Sequence, residues 1–273
     1  MAPQDHQFWP SGKKNLDFNR PPRGAGVYTN RWKPKKGDSG ESMSDVTITW
    51  LGHGTFQLEL PGGETLLIDP WTEGNPAFPP GHRLTRVDTL LITHGHFDHI
   101  GDAVRLAKEF RPQVVGIYEL CHWLQSKGVE NTSPMNKGGT QQVGGVKVTM
   151  VHADHSCGIL DDGKIVYGGE ACGYVVELPD GRRLYHAGDT NVFGDMQLIR
   201  ELYGPELAML PIGDMFTMGP REAAVACRLL GVKKVIPMHF GTFPLLVGRP
   251  DDLRKLVTGV EVVGLEPGQG LRI

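Results

Sequence analysis

A cluster of residues suited to metal binding occupies residues 91–101, whose sequence is LITHGHFDHIG. The chain has 11 histidines among its 273 residues, yet three of them lie with an aspartate inside six positions. His94, His96 and Asp98 alternate along an extended segment, so their side chains point to one side, and the following turn brings His99 alongside. Imidazole and carboxylate groups that converge on one point are costly unless a cation lies between them, and zinc-like metals accept both ligand types. The cluster therefore predicts a metal site.

Four ligands from one loop would crowd a single ion, because His94 and His96 face away from part of the space that Asp98 and His99 can reach. Two ions that shared the loop would each need further ligands from elsewhere in the chain. Three suitable residues each follow a predicted strand: His155 in VHADHSCG, Asp189 in YHAGDT and His239 in VIPMHFGTF. Loops at the ends of strands hold functional groups on a rigid scaffold. We therefore expect these three residues to complete the site.

The elements that must position these ligands are readable from residue 46 onward. Three β-rich runs separated by glycine turns predict an antiparallel meander: VTITWL, TFQLEL and TLLIDP. Further strands are predicted in VDTLLIT, VVGIY, VKVTMVH, GYVVELP, RRLYHAGD, LAMLPIG, KKVIPMHFG and VEVVGLE. Helical spacing is found in DAVRLAKEF, ELCHWLQSKG, NVFGDMQLIRELYG, GPREAAVACRLLG and RPDDLRKLVTG. Strands grouped at the front of each half, with helices after them, predict two sheets face to face with helices outside.

The composition changes near residue 43. Residues 1–42 hold eight Lys and Arg against four acids, a net charge of +4, whereas the whole chain carries −3. This basic, Pro- and Gly-rich stretch lacks apolar periodicity, so we predict an extended or disordered arm. Such an arm either packs on a partner subunit or an anionic surface, or is dispensable. Residues 43–273 are predicted to form the folded domain.

Composition and charge disfavour several classes of protein. A net charge of −3 argues against a nucleic-acid binder, which usually presents a basic face. No run approaches the roughly 18 apolar residues that a transmembrane helix needs, and the start lacks the pattern of a secretory signal. We therefore expect a cytoplasmic protein. The four cysteines are scattered without a CxxC pair, which predicts free buried thiols.

The order H-x-H-x-D-H, then a histidine, then Gly-Asp-Thr, then a late histidine resembles the metallo-β-lactamase superfamily across residues 46–273. The flanking stretches WLGHGTF, LIDPW, GGEACGY, LPIGDMFTMGP and HFGTFP are similar to bacterial metal-dependent hydrolases related to L-ascorbate phosphate lactonase. N-acylphosphatidylethanolamine phospholipase D is a more distant relative. The resemblance implies an α/β fold, the four-layer αβ/βα sandwich, with the metal site at one edge of the sheets.

The resemblance also implies a dinuclear centre. It assigns one ion to His94, His96 and His155, the other to Asp98, His99 and His239, and a bridging position to Asp189. Two divalent ions about 3.5–4 Å apart lower the pKa of a bridging water and yield hydroxide near neutral pH. Asp98 and Asp189 would orient that hydroxide. Zinc suits these ligands best, although manganese, iron and nickel bind similar sets.

Other polar residues near the motifs are expected to lie around the metal ligands or outside their set. His53, in a Gly-His-Gly turn after the first strand, is either structural, or supports a ligand or faces the substrate. Asp69 in LIDPW is expected to hold a ligand or the adjacent loop. Asp214 either touches the pocket or caps the nearby helix. His152 alternates to the opposite side of its strand, and we expect it, like His186, to lie outside the metal set.

Three functions are compatible with the sequence, because the fold does not select the reaction. We favour a hydrolase that acts on a small-molecule substrate, namely an ester, lactone or phosphate ester. A phosphodiesterase of the phospholipase D type, acting on lipid head groups, would need an apolar or basic lip, which only Lys33, Lys35 and Lys36 suggest. A non-hydrolytic metal-binding or redox protein is the third; against it, His96 stands where flavodiiron proteins typically carry Glu, and no flavodoxin-like domain follows. The sequence is also compatible with a homo-oligomer.

Overall fold

The computed structural model of this chain describes residues 45–273. The predicted arm of residues 1–42 lies outside the described residues, and the role predicted for it stays a prediction. The described part contains two seven-stranded sheets and a separate two-stranded hairpin. Two layers of strands with helices on their outer faces agree with the sandwich that the sequence predicts.

The first sheet has the strand order β16-β1-β2-β3-β4-β5-β6. Its strands are β1 (Thr47–Trp50), β2 (Phe56–Glu59), β3 (Thr65–Ile68), β4 (Thr89–Leu91), β5 (Gln113–Ile117), β6 (Thr132–Met135) and β16 (Gly270–Arg272). Strands β1 to β3 form the predicted antiparallel meander, and β3 to β6 are parallel. Strands β1, β3 and β4 therefore all end at the same edge of the sheet.

The second sheet has the strand order β15-β14-β13-β12-β11-β8-β7. Its strands are β7 (Thr140–Val143), β8 (Val146–His152), β11 (Cys172–Glu177), β12 (Arg183–His186), β13 (Leu207–Pro211), β14 (Lys234–Met238) and β15 (Glu261–Val262). Strands β12 to β15 are parallel, and β11 runs antiparallel to both β8 and β12. The carboxyl ends of β8, β12, β13 and β14 therefore meet at one edge.

Six helices and a hairpin complete the described part of the chain. The helices are α1 (Phe97–Ile100), α2 (Ala103–Phe110), α3 (Tyr118–Ser126), α4 (Met196–Tyr203), α5 (Pro220–Leu230) and α6 (Pro250–Leu256). Strands β9 (Gly158–Asp161) and β10 (Lys164–Tyr167) form the hairpin. Helix α5 begins with proline at its first turn and ends at Gly231, whose left-handed φ of 65° suits a helix terminus.

Alternation along the strands builds the core on both faces of the second sheet. Tyr174 and Val176 of β11 belong to the large apolar cluster that also contains the first sheet. Val175, between them, points to the other face and packs in a second cluster with Ile199 of α4 and Leu253 of α6. A strand buried on both faces carries apolar residues at successive positions. Burial lowers the free energy of the sandwich by about 25 cal/mol per Å² of apolar surface removed from water.

Five strands were not predicted from the sequence: β6, β7, β9, β10 and β16. Three of these, β6, β7 and β16, are the outermost strands of their sheets, and the four residues of β10 are exposed. The side chains of these outer strands are mostly exposed or half-buried, so the strands lack the apolar alternation that burial imposes. Their pairing comes from the tertiary fold and leaves little signal in the sequence.

Two further predictions concern the cysteines and the membrane. All four cysteines are free and buried, as predicted, and burial raises the pKa of the Cys157 thiol to about 11. Among residues 45–273, no helix has the length and apolar character needed to cross a bilayer.

Candidate metal centre

All seven predicted metal ligands lie together where strand ends of the two sheets meet. They follow or adjoin strands β4, β8, β12 and β14: His94, His96, Asp98, His99, His155, Asp189 and His239. Backbone hydrogen bonds join the sheets at this edge. The amide of His239 donates to the carbonyl of His53 (3.1 Å), and the amide of Cys172 donates to the carbonyl of Thr93 (3.1 Å).

The outer set of ligands consists of His94, His96 and His155. The Nδ1 atom of His96 lies 3.0 Å from Nε2 of His94 and 3.2 Å from Nε2 of His155. These three nitrogens all lie within 4.8 Å of one another, as the ligands of one ion would. His94 is fully buried, whereas His96 and His155 are half-buried. Burial lowers the pKa of each imidazole more than the nearby carboxylates of Asp98 and Asp189 raise it, which favours the neutral form that binds metal.

The inner set consists of Asp98, His99 and His239, all of them buried. The Oδ2 atom of Asp98 lies 3.7 Å from Nε2 of His239 and 4.0 Å from Nε2 of His99. Burial opposes the charged form of His239, but the nearby carboxylates of Asp189 and Asp98 outweigh it and raise its pKa to about 9. His99 also has a raised pKa, because Asp189 and Asp69 outweigh the effect of its burial. The imidazoles of the inner set therefore favour protonation where those of the outer set do not.

Asp189 lies between the two sets. Its Oδ2 atom is 3.0 Å from Nε2 of His239 and 3.3 Å from Nε2 of His99. The same oxygen is 3.7 Å from Nε2 of His155 and 3.8 Å from Nε2 of His94. Burial alone would raise the pKa of this carboxyl, but His239 and His99 hold it well below its usual range. One carboxylate oxygen thus approaches two imidazoles from each set.

Buried polar atoms at this point fit a bound cation. Nε2 of His99, Oδ1 of Asp189 and both ring nitrogens of His239 are buried without a hydrogen-bond partner. His239 is close to Asp189, but the direction of approach is wrong for a hydrogen bond. An unpaired buried polar atom costs about 1–3 kcal/mol, and a buried carboxylate requires a compensating positive charge. A metal ion would meet both needs.

Asp69 supports the ligands from behind, as the sequence led us to expect. It accepts hydrogen bonds from the Thr93 amide (2.8 Å) and hydroxyl (2.7 Å), and its Oδ2 lies 2.8 Å from Nδ1 of His99. Because its oxygens already have these partners, Asp69 positions His99 although it is close enough to be a ligand. The Thr93 hydroxyl, which donates to Asp69, accepts from Nδ1 of His94 (3.0 Å). These bonds leave Nε2 of His94 without a proton and free to bind metal.

His53 supports Asp98 in a similar way. Its Nε2 lies 2.9 Å from Oδ2 of Asp98, and its Nδ1 lies 3.0 Å from the Thr242 hydroxyl. Burial, followed by the positive charge on His239, lowers the pKa of His53 to about 4, so the ring is neutral at pH 7. Since a carboxylate only accepts, the proton is on Nε2, and the Thr242 hydroxyl donates to Nδ1. Of the roles considered for His53, these contacts therefore favour support of the ligand Asp98 over a purely structural role.

The backbone adopts unusual conformations around the centre. His53, Asp69 and His239 have left-handed φ angles of 55°, 50° and 56°, and they are three of the seven non-glycine residues with positive φ between residues 45 and 273. Such conformations cost about 1–3 kcal/mol each and concentrate at functional sites. At Gly54, a Cβ atom would lie 2.7 Å from Cε1 of His99, so only glycine leaves room for that ring.

Three other residues do not join the ligands. His152 is exposed and lies near Lys137, and His186 is buried, where its Nδ1 accepts from the Gly188 amide (3.1 Å). Both therefore lie outside the metal set, as expected. Asp214 is exposed and its Oδ1 accepts from the Met215 amide (2.7 Å). Helix α5 has no side-chain cap, so of the two roles considered for Asp214 the capping role is wrong.

The supporting residues Thr93, Ser156 and Thr242 were not predicted. Each hydroxyl contacts a histidine ring, and that of Ser156 lies 3.2 Å from Nε2 of His96. The only signal in the sequence is their position: Thr93 and Ser156 each adjoin a predicted ligand, and Thr242 lies three residues after His239. A single hydroxyl residue beside a histidine is too common to predict such a contact.

Comparison with known proteins agrees with this geometry. The family model described as Beta-lactamase superfamily domain matches residues 64–240. A UPF0173 metal-dependent hydrolase from Solibacter usitatus is 67% identical over 226 residues, which cover 82% of this chain and 98% of that protein. Among solved structures, Igni18, a metallo hydrolase from the archaeon Ignicoccus hospitalis, matches with a TM-score of 0.74 and 32% identity, covering 84% of this chain and 99% of that one.

A more distant structure shares the fold alone. CmlA, a diiron β-hydroxylase from Streptomyces venezuelae, matches with a TM-score of 0.67 and 16% identity, over 85% of this chain and 55% of that one. The predicted superfamily and fold are confirmed, and the relation to L-ascorbate phosphate lactonase stays a prediction. The chain belongs to the metallo-β-lactamase superfamily, among the UPF0173 metal-dependent hydrolases, and is itself a metal-dependent hydrolase with an αβ/βα sandwich fold.

Proposed function

We propose that this hydrolase uses two metal ions, one held by the outer set and one by the inner set. The observation that carries the proposal is the position of Asp189, whose Oδ2 approaches two imidazoles from each set at 3.0–3.8 Å. A carboxylate in that place would contact both ions and offset part of their mutual repulsion. Five imidazoles and two carboxylates close to one another suit zinc in particular.

Two divalent ions at this centre would supply a nucleophilic water at neutral pH. They would also polarise the carbonyl or phosphoryl oxygen of the group that is attacked. The protein's own part is to hold and orient. Asp98 is fixed by the hydrogen bond from His53, so its carboxylate keeps one orientation and can accept a proton from the attacking water. Asp189 fixes the spacing between the sets. The reaction that fits these groups is hydrolysis of a small ester, lactone or phosphate ester.

Metal analysis combined with a substrate panel tests the proposal. We expect purified protein to carry close to two transition-metal ions per chain, because the ligands exceed what one tetrahedral centre uses. The panel would contain a carboxylic ester, a lactone, a thioester, a phosphodiester and a β-lactam. No more than one ion after reconstitution with excess metal would overturn the two-ion centre. Turnover confined to the thioester or the β-lactam would overturn the proposed substrates.

A further inference from the structure

Among residues 45–273, exposed apolar side chains form two main groups, one on the β9–β10 hairpin and one on loops next to the inner set. We call Phe97, Met215, Phe216, Leu245 and Val247 the apolar rim; each is 55–62% exposed. Phe97 lies in the chain between two proposed ligands, and the other four belong to the loops after β13 and β14. Single exposed apolar residues are ordinary on protein surfaces. Several such residues on loops beside a reaction centre are typical of a binding surface.

Ring contacts connect one end of the apolar rim to the metal centre. The ring of Trp71 lies 5.8 Å from that of Phe97, edge to face, and 5.9 Å from that of Phe243, stacked. Trp71 and Phe243 both contact His53, at 5.2 and 5.7 Å between ring centroids. The aromatic surface therefore begins at the residue that holds Asp98.

Backbone hydrogen bonds fix the two loops that carry the rest of the apolar rim. The amide of Gly248 donates to the carbonyl of Gly213 (3.4 Å), which joins the loops to each other. The amide of Met218 donates to the carbonyl of Thr190 (3.1 Å), next to Asp189. Leu246 is buried beneath them. The loops are thus held against the ligand loops, with Met215, Phe216, Leu245 and Val247 exposed on them.

The charge of this surface indicates what it binds. The loop sequences GDMFTM and FGTFPLLVGR contain one acid and one base, Arg249, whose guanidinium donates to the carbonyls of Leu246 and Gly248. The ion pairs made by the proposed ligands join histidine to aspartate. A phosphate or a charged lipid head group would require basic side chains for recognition, whereas a hydrocarbon chain requires apolar contact.

We propose that the apolar rim binds the hydrocarbon part of the substrate, which makes the substrate an uncharged carboxylic ester or lactone with a medium-length chain. This inference rests on the proposed hydrolysis at the metal centre. Water adds across the acyl C–O bond: a new bond forms from the water oxygen to the acyl carbon, and the bond to the alcohol oxygen breaks. One proton passes to the leaving alcohol, and the other is released as the carboxylic acid ionises.

The first test measures hydrolysis by the metal-loaded enzyme of p-nitrophenyl acetate, butyrate, hexanoate and octanoate. We expect kcat/KM to rise about threefold to fourfold for each methylene that the apolar rim buries, mainly through a lower KM. Phe216→Ala and Val247→Ser should flatten this dependence on chain length at unchanged metal content, and Phe216→Leu should retain most of it. Leu202→Ala is the matched control, since Leu202 is exposed to a similar extent but lies on α4.

A binding experiment separates failure of this inference from failure of the proposed function. Calorimetry with the uncharged ketones acetone, 2-hexanone and 2-decanone needs no turnover, and we expect affinity to rise with chain length. Chain-length dependence in binding without ester hydrolysis would overturn the proposed reaction but leave the apolar rim as a hydrocarbon site. Hydrolysis with no effect of chain length would overturn the inference. The inference would also be overturned if Phe216→Ala changed the oligomeric state while the dependence of kcat/KM on chain length stayed the same. The apolar rim would then be an interface between copies.

Discussion

The outer and inner sets of ligands differ in how firmly the protein holds them. In the inner set, Asp98 is held by His53, and His99 is held by Asp69, all of them buried. In the outer set, His94 is held by the buried hydroxyl of Thr93, but His96 is held by the hydroxyl of Ser156, which is exposed. Partners behind a ligand fix its orientation and raise metal affinity. The inner set should therefore bind its ion more tightly and exchange it more slowly.

The two sets also differ in charge. The outer set consists of imidazoles with lowered pKa, whereas the inner set contains two imidazoles whose pKa is raised by carboxylates. At neutral pH, an ion that enters the inner set must displace protons, and an ion that enters the outer set need not. One half of the centre is thus rigid and sensitive to pH, and the other is more accessible and less sensitive.

The largest effect is expected when the residue shared by both sets is changed. Asp189→Asn keeps the shape of the side chain but removes its negative charge, so the two ions would repel each other without compensation. We expect activity to fall roughly a thousandfold and metal content to fall from two ions toward one. Elemental analysis and hydrolysis assays on the same preparation measure both.

His152→Ala is the control for this change. His152 ends β8 three residues before His155, but it is exposed and outside the ligand sets. It should keep both ions and most activity. If Asp189→Asn kept two ions and full turnover while His152→Ala lost them, the assignment of ligands would be wrong.

Supports of the two sets can be compared directly with Asp69→Asn and Ser156→Ala. Asp69→Asn replaces an acceptor that serves the His99 ring directly and the His94 ring only through the Thr93 hydroxyl. We therefore expect mainly the inner-set metal affinity to fall, roughly 10- to 100-fold. Ser156→Ala removes an exposed hydroxyl that water can replace, so outer-set affinity should change by less than about threefold. Chelator competition followed by metal counting measures both. Equal losses in the two variants would refute the difference in support.

A pH series tests the difference in charge. Because the pKa of His239 is raised to about 9, this imidazole is protonated at pH 7 in chelator-stripped protein. Inner-set affinity should then rise with pH, about tenfold per unit for each displaced proton, until about pH 9. Outer-set affinity should change little above pH 7. Cobalt titrations at pH 6.5, 7.5 and 8.5 would record two binding steps with different slopes, and parallel slopes would contradict the pKa difference.

The smallest expected effect is at Thr242. Thr242→Val removes the donor to Nδ1 of His53 but keeps the volume, so the ring loses the preference for a proton on Nε2. We expect kcat to fall about fivefold, equivalent to one typical hydrogen bond, with metal content unchanged. Thr242→Ser should restore most of the rate. A loss of metal, or no recovery in the serine variant, would mean that Thr242 acts on the fold and not through His53.

The sequence was informative where a pattern carries physical meaning. The spacing of His94, His96 and Asp98 placed them on one side of an extended segment, and the strand ends supplied the remaining ligands, which the structure brings together. Strands with apolar runs were predicted, because burial imposes those runs. The edge strands β6, β7 and β16 were missed because they have no such requirement.

The supports around the ligands could not be predicted in the same way. Whether Thr242 reaches His53 depends on the left-handed backbone at His239. The position of the Asp69 side chain likewise depends on the left-handed backbone of Asp69 itself. Non-glycine residues adopt this conformation only where the surrounding structure requires it. The apolar rim was missed for another reason: Leu245 and Val247 look like core residues in the sequence, and only the fold exposes them.

The meeting of both sheets at this edge has a consequence for folding. His53 and Thr242, which contact each other beside the centre, are 189 positions apart in the chain. Contacts between such distant residues form late and slow the folding of a domain. Neither sheet alone contains all the ligands, so tight metal binding must await docking of the two. The ions would therefore stabilise only the completed fold, and its thermal unfolding temperature should rise with free metal concentration.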